Sequence, residues 1–239
     1  MLEATKLTKK YGSFTALNAL NLSVKQGDIF CLLGANGAGK STTINLFLNF
    51  IEPTEGLATI NSLDVTLHSK ETKQLLSYIP ENLMLYPNLT GLENLDFFCG
   101  LGGKNYSKEQ LEELLKQSGL QVDFIHKRVS SYSKGMRQKV GIALASAREA
   151  SVLLLDEPTS GLDPKASNEF SELLLDMKDK GVATLMATHD LFRAKATGTH
   201  IGIMKEGVLI HQVEANSISL PELEELYLET MKLSQTVSS

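Results

Sequence analysis

Along this chain short apolar runs alternate with polar turns, and the spacing of the apolar positions changes twice. Up to about residue 80 the pattern is that of strands. Glu3–Thr8, Phe14–Leu17 and Leu20–Val24 read as short strands, with Gly27-Asp28 as a turn. Ile29–Leu33 is apolar at every position, the mark of a strand buried on both faces. From Ser41 the residues Thr42, Ile44, Leu46, Phe47 and Phe50 predict a helix. It is expected to stop near Glu52-Pro53, because proline has no amide to donate and clashes with the preceding turn. Leu57–Ile60 reads as a strand turned by Asn61-Ser62, Lys70–Leu76 as a short helix and Leu76–Ile79 as a strand. From Glu81 to Ala150 helical spacing takes over, at Leu92–Leu101, Lys108–Ser118 and Lys134–Arg148. Strands return at Val152–Leu155, Ala183–Ala187, His200–Lys205 and Val208–Gln212, the last two flanking a Glu206-Gly207 hairpin turn. A polar helix, Leu220–Leu233, follows; its Glu222, Glu224, Glu225 and Glu229 read as a solvated face.

Strands without alternation imply a mainly parallel sheet covered by helices, hence an α/β fold. The expected organisation is one domain over residues 1–239. Its core comprises 1–80 and 151–215, a helical subdomain is inserted at 81–150, and a C-terminal helix and tail occupy 216–239. Chemistry in such folds gathers at the carboxyl ends of the strands. The conspicuous polar residues Gly34–Ser41, Glu81, Asp156-Glu157 and His189 all follow apolar strands.

Composition narrows the classes. The chain has 239 residues, 42% apolar and 21% charged, with a net charge of −5, so a nucleic-acid binder is not expected. Two cysteines form no disulfide framework, and Cys31, inside an apolar strand, reads as a core thiol. No run approaches the roughly 20 apolar residues of a membrane span, and Met1–Lys6 lacks a leader's apolar core. The expectation is a soluble chain whose membrane role, if any, needs a partner with spans. His68, His126, His200 and His211 carry no metal-ligand spacing.

Gly34, Ala35, Asn36, Gly37, Ala38, Gly39, Lys40 and Ser41 fit G-x-x-x-x-G-K-[ST] between a strand and a helix, with Thr42 next. Such a loop wraps backbone amides round phosphates, with the lysine charge on the β/γ-phosphates and the serine hydroxyl on Mg²⁺. Val152–Leu155 ends in Asp156-Glu157. Behind a phosphate loop, the first acid suits Mg²⁺ and the second suits a water poised for in-line attack on the γ-phosphate. A second anion turn is Ser133-Lys134-Gly135-Met136-Arg137-Gln138. Ser133 is a good N-cap, and Gly135 permits close backbone approach.

In order and spacing these motifs resemble the ATP-binding subunits of ATP-binding cassette (ABC) transporters, over Leu2 to about Gln212. The resemblance implies a P-loop NTPase (RecA-like) core with an antiparallel β subdomain. It implies ATP as nucleotide and Mg²⁺ as its metal, held by Ser41, Asp156 and Glu81. Tyr11 resembles the aromatic that stacks on adenine, Ser160–Asp163 the loop that communicates across a dimer, and His189 the histidine that meets the γ-phosphate. Lys40, Glu157 and His189 are the implied catalytic residues. Ser133 and Gly135, with Asp163, are implied to meet a nucleotide held mainly by another subunit. The implied partners are a second copy or homologous subunit, head to tail, and an integral membrane permease at the cytoplasmic face, docked near Glu81–Gly103. Two positions depart from the usual pattern. Tyr132-Ser133-Lys134-Gly135-Met136 stands where Leu-Ser-Gly-Gly-Gln is usual, a form that resembles ABC-2-type exporters. Glu81 stands where Gln is usual. The alternative is a soluble ABC ATPase acting on ribosomes or DNA.

Overall fold

The computed structural model describes residues 1–232. The elements, in order, are β1 (Leu2–Tyr11), β2 (Phe14–Val24), β3 (Ile29–Leu33), α1 (Lys40–Phe47), β4 (Glu55–Ile60), β5 (Leu63–Asp64), α2 (Ser69–Leu75) and β6 (Leu76–Ile79). There follow α3 (Gly91–Leu101), α4 (Lys108–Gln117), α5 (Val122–Ile125), α6 (Lys134–Ala147) and β7 (Val152–Asp156). The chain continues through α7 (Pro164–Asp179), β8 (Ala183–Thr188), α8 (Leu191–Thr197), β9 (His200–Lys205), β10 (Val208–Glu214) and α9 (Leu220–Lys232). Leu233, the end of the expected last helix, lies outside the described residues, as does the tail beyond it.

Two sheets result. One is antiparallel, in the order β2-β1-β4-β5; the other has the order β10-β9-β3-β8-β7-β6 and is parallel except at β10. Successive residues of the central strands feed opposite layers. Phe30, Leu32 and Leu154 pack with α1 and the antiparallel sheet. Ile29, Cys31, Leu33 and Leu153 pack with Phe170, Leu174 and Met177 of α7. All seven strand residues are fully buried, which accounts for the missing alternation. Burial pushes the Cys31 thiol up to about 12, as suits a core thiol.

The helices α3, α4 and α6 have a separate apolar cluster around Leu95, Leu111, Leu115 and Val140. Two of them start at capping boxes, Thr90 with Glu93 and Ser107 with Gln110, each satisfying two otherwise orphaned amides.

Several boundaries differ from the sequence pattern. Phe14–Leu17 and Leu20–Val24 are one strand interrupted by an irregularity at Ala19, whose φ is 47° and whose amide donates to Thr8 Oγ1 at 2.9 Å. The first helix ends at Phe47, well before Pro53, because the chain turns through Asn49 at φ 51°. Three helices are not predicted by the sequence pattern, the four-residue α5 together with α7 and α8. In α7 the Asp163 cap, Pro164 at the first position and the Phe170, Leu174, Met177 stripe were all readable signals. The seven-residue α8 shows too little periodicity to be read.

Candidate functional site

The ends of β3 and β7 lie on either side of β8, and the loops that follow them meet over the carboxyl edge of the sheet. After β3 the chain wraps back through Gly34–Gly39 into α1. A Cβ on Gly34 would lie 2.6 Å from the Met204 carbonyl oxygen. Gly39 holds φ at 103°, where a side chain is strained. The loop therefore sits too close to β9 and β2 for anything larger than glycine at these two positions. Lys40, buried, turns inward: its Nζ donates to the carbonyls of Gly34 at 2.6 Å and Ala35 at 3.3 Å. Ser41 Oγ donates to Asp156 Oδ1 at 3.1 Å.

Glu157 follows β7 at φ 47°, and its amide donates to the Ala187 carbonyl. That backbone turn points the carboxylate into the cleft, where its two oxygens have different partners. Oε1 faces Lys40 Nζ at 3.4 Å without hydrogen-bond geometry and is otherwise buried without a partner. Oε2 meets His189 Nδ1 at 2.8 Å and also accepts from the His189 amide. Burial, more than any neighbour, raises the Asp156 carboxyl above its ordinary value. The Glu157 and Glu81 charges add to this, while Ser41 and Lys40 oppose it.

These residues line a cleft of about 340 Å³ whose other wall is aromatic. Tyr11 and Phe14 face each other as partners at the β1–β2 turn and are 50% and 63% exposed. Two exposed rings on one cleft wall suit a flat heteroaromatic base. Lys9 Nζ already lies 4.9 Å from the Tyr11 ring centre. The Phe14 contribution was not read from sequence; its place two residues beyond Gly12 in a hairpin was the available signal.

The oxygen donors Ser41, Asp156 and Glu81 share this cleft. Among the described residues no three acidic, histidine or cysteine side chains form a metal cage of their own. A hydroxyl and sparse carboxylates suit a hard cation that takes its remaining ligands from phosphate and water, as Mg²⁺ does.

The second anion turn lies elsewhere. Ser133 caps α6, its Oγ accepting from the Met136 amide, and Gly135 packs close to Ala166. They border a different hollow, of about 230 Å³, together with Asp163. Asp163 caps α7 by accepting from the Ala166 amide at 2.9 Å. The structure thus brings Tyr11, Gly34–Thr42, Glu81, Asp156, Glu157 and His189 to one region, and Ser133, Gly135 and Asp163 to another. Unforeseen was the bridge between them. Glu81 Oε1 accepts from Ser160 Oγ at 2.9 Å and lies 3.6 Å from Lys134 Nζ.

The family described as "ABC transporter" matches residues 17–160. The chain is 37% identical over 214 residues to the bacitracin transport ATP-binding protein BcrA of Bacillus licheniformis, covering 89% of this chain and 69% of that protein. It is 37% identical over 212 residues to the probable multidrug ABC transporter ATP-binding protein YbhF of Escherichia coli (strain K12), but spans only 36% of that longer protein. Among solved structures, an ATP binding subunit of an ABC transporter superposes with a TM-score of 0.84 at 31% identity, over 97% of this chain and 100% of that one. A dimeric post-hydrolysis state of the ATP-binding cassette MJ0796, bound to ADP and Pi, superposes with a TM-score of 0.80 at 27% identity, over 90% of this chain and 99% of that one. The match over more than half of the sequence, the relatives and the phosphate-loop architecture agree: this chain belongs to the ABC transporter family, as an ATP-binding subunit.

Proposed function

We propose that this chain hydrolyses ATP to ADP and phosphate and powers an ABC-2-type exporter. It works as a head-to-tail dimer with a second copy or a homologous subunit, beneath an integral membrane permease on the cytoplasmic face. The observation that carries the reading is the split environment of Glu157. One carboxylate oxygen faces the phosphate-loop lysine and the other is held by His189.

In this reading Tyr11 and Phe14 take the adenine, and the amides of 34–42 take the phosphates. Lys40 exchanges its bonds to the Gly34 and Ala35 carbonyls for phosphate oxygens. Ser41 and Asp156, with Glu81 beside them, hold Mg²⁺, which neutralises charge developing on the transferred phosphoryl group. Glu157 Oε1, already inside the cleft and accepting no hydrogen bond, receives a proton from the attacking water. His189 keeps the other oxygen in place, so the base arrives oriented. Ser133 and Gly135 of the partner close over the phosphates, with Asp163 of each subunit next to the join. The dimeric MJ0796 cassette supports such an assembly.

No helix among the described residues is long and apolar enough to cross a membrane, so in this reading the spans belong to the permease. Its dock is the apolar groove between β6 and the α3–α6 helices, lined by Leu83, Met84, Leu85 and Phe98, with Met84 82% exposed. We take 81–150 as the moving helical part and 1–80 with 151–215 as the nucleotide-holding part. The transport relatives and this groove speak against a soluble ATPase on ribosomes or DNA.

Glu157→Gln is the direct test. Phosphate release should fall by about 10²–10⁴-fold while ATP binding and ATP-induced dimerisation, read by size exclusion, persist. Undiminished turnover would remove Glu157 as the base.

A further inference from the structure

Glu81 and Lys134 are two of the positions where this chain departs from the usual residue types, and in the fold they lie side by side. Lys134 Nζ lies 3.6 Å from Glu81 Oε1, the same oxygen that accepts from Ser160 Oγ. The backbone on either side is clamped as well: buried Gln138 donates through Nε2 to the carbonyls of Pro80 and Glu81 at 3.3 and 3.4 Å. The first turns of α6 are therefore fastened to the segment leaving β6. Within this pair the two added charges also offset one another. Glu81 adds a third carboxylate to a cleft that already holds Asp156 and Glu157, and Lys134 supplies one compensating cation from α6.

We infer that Lys134 is a positioning residue for Glu81: its ammonium group, with the Ser160 hydroxyl, holds the Glu81 carboxylate at the rim of the metal cleft and offsets its charge. This rests on the reading of Ser41, Asp156 and Glu81 as the magnesium side of an ATP site. Lys134 is adjacent to Ser133, the cap that faces the other nucleotide. One carboxylate thus links the two half-sites of a single chain. When Glu81 is drawn towards the metal, Lys134 loses its anion and its charge turns to the phosphates at its own turn.

The pair is partly exposed, with side-chain exposures of 22% for Lys134 and 47% for Glu81, so the coupling is modest. Binding of a fluorescent ATP analogue to dilute, monomeric protein, titrated with magnesium, reads it directly. Lys134→Gln should lower the half-saturating magnesium concentration about three- to fivefold, because an uncompensated Glu81 attracts the cation more strongly. Lys134→Arg should behave like the parent. In a Glu81→Gln background, Lys134→Gln should cause no further shift. Hydrogen exchange of the 81–85 amides without nucleotide should speed up in Lys134→Gln and not in Lys134→Arg. An unchanged magnesium dependence in Lys134→Gln, or the same shift with Glu81 already neutralised, overturns this inference alone. Nucleotide binding by the parent chain that ignores magnesium overturns the metal-site reading, and this inference with it.

Discussion

The phosphate-loop cleft and the second anion turn at Ser133–Gln138, the signature turn, use the same device, backbone amides at the start of a helix, but the chain finishes them to different degrees. In the cleft the side chains at the ends of β3 and β7 already have partners, Glu157 Oε1 excepted. Lys40 is tied to two carbonyls, Ser41 to Asp156, and Glu157 to His189. Polar groups held this way are pre-set and lose little on meeting a ligand. At the signature turn Ser133 only caps its own helix, and Gly135 lies against Ala166 at the edge of an open hollow. The first region is a binding site in one chain. The second is a helix start beside an open hollow, lined on its other sides by residues such as Phe124, Lys165 and Glu169. Different perturbations should therefore separate them.

The largest expected effect is on the signature side. Ser133→Arg places a long cation where the cap oxygen was, at the face that in the proposed dimer closes on the other subunit. Steady-state hydrolysis should fall at least about 100-fold, with ATP affinity of the monomer unchanged within about twofold. Equilibrium binding below the dimerisation concentration, set beside phosphate release, measures both. If monomer affinity drops together with turnover, the two regions are not separate sites and the contrast fails.

Much of this contrast was legible in the sequence. The glycine–lysine–serine spacing, the strand before it and the acid pair ending β7 fix their neighbours within a few residues, where local rules are strong. Buried strands announced themselves by lacking alternation. Long-range side-chain meetings were not legible. The Glu81–Lys134–Ser160 cluster joins three segments that are brought together by the packing of α6 against β6 and the pairing of β6 with β7. Phe14 was read as a strand residue, because exposure on a cleft wall is a property of the hairpin and not of the residue. The helix α7 carries a capped start and a Phe170, Leu174, Met177 stripe, but the polar residues between those positions thin its apolar pattern.

An intermediate effect should come from the aromatic wall, and it sharpens the comparison by touching the cleft alone. Tyr11→Ala and Phe14→Ala should each weaken ATP binding about three- to tenfold, corresponding to about 0.5–1.5 kcal/mol per ring. The double variant should lose nearly the product if each ring packs independently on the base. Titration with a fluorescent nucleotide reads it. A silent Phe14→Ala would return that residue to the hairpin as mere surface.

The smallest effect is the most diagnostic of a cleft poised for a cation. Asp156 is the residue whose carboxyl is raised, first by burial and then by the nearby Glu157 and Glu81 charges. A carboxyl with a folded value above its unfolded one takes up a proton on folding at pH values between the two. Stability is thus lost as pH rises through that window, and the penalty is fully present above the folded value. At neutral pH the nucleotide-free chain bears this cost. Asp156→Asn keeps the acceptor for Ser41 and removes the charge. It should raise the melting midpoint of the nucleotide-free protein, by an amount kept small by solvent screening of a partly exposed carboxylate, while abolishing the magnesium dependence of ATP binding. The gain should shrink as pH is lowered, because the parent then protonates Asp156 and reaches the same neutral state. Thermal melts at several pH values, with and without magnesium, provide the check. A loss of stability in Asp156→Asn at neutral pH would mean that Lys40 and Ser41 more than offset burial. The cleft would then be satisfied without a cation, and its difference from the signature turn would be one of degree.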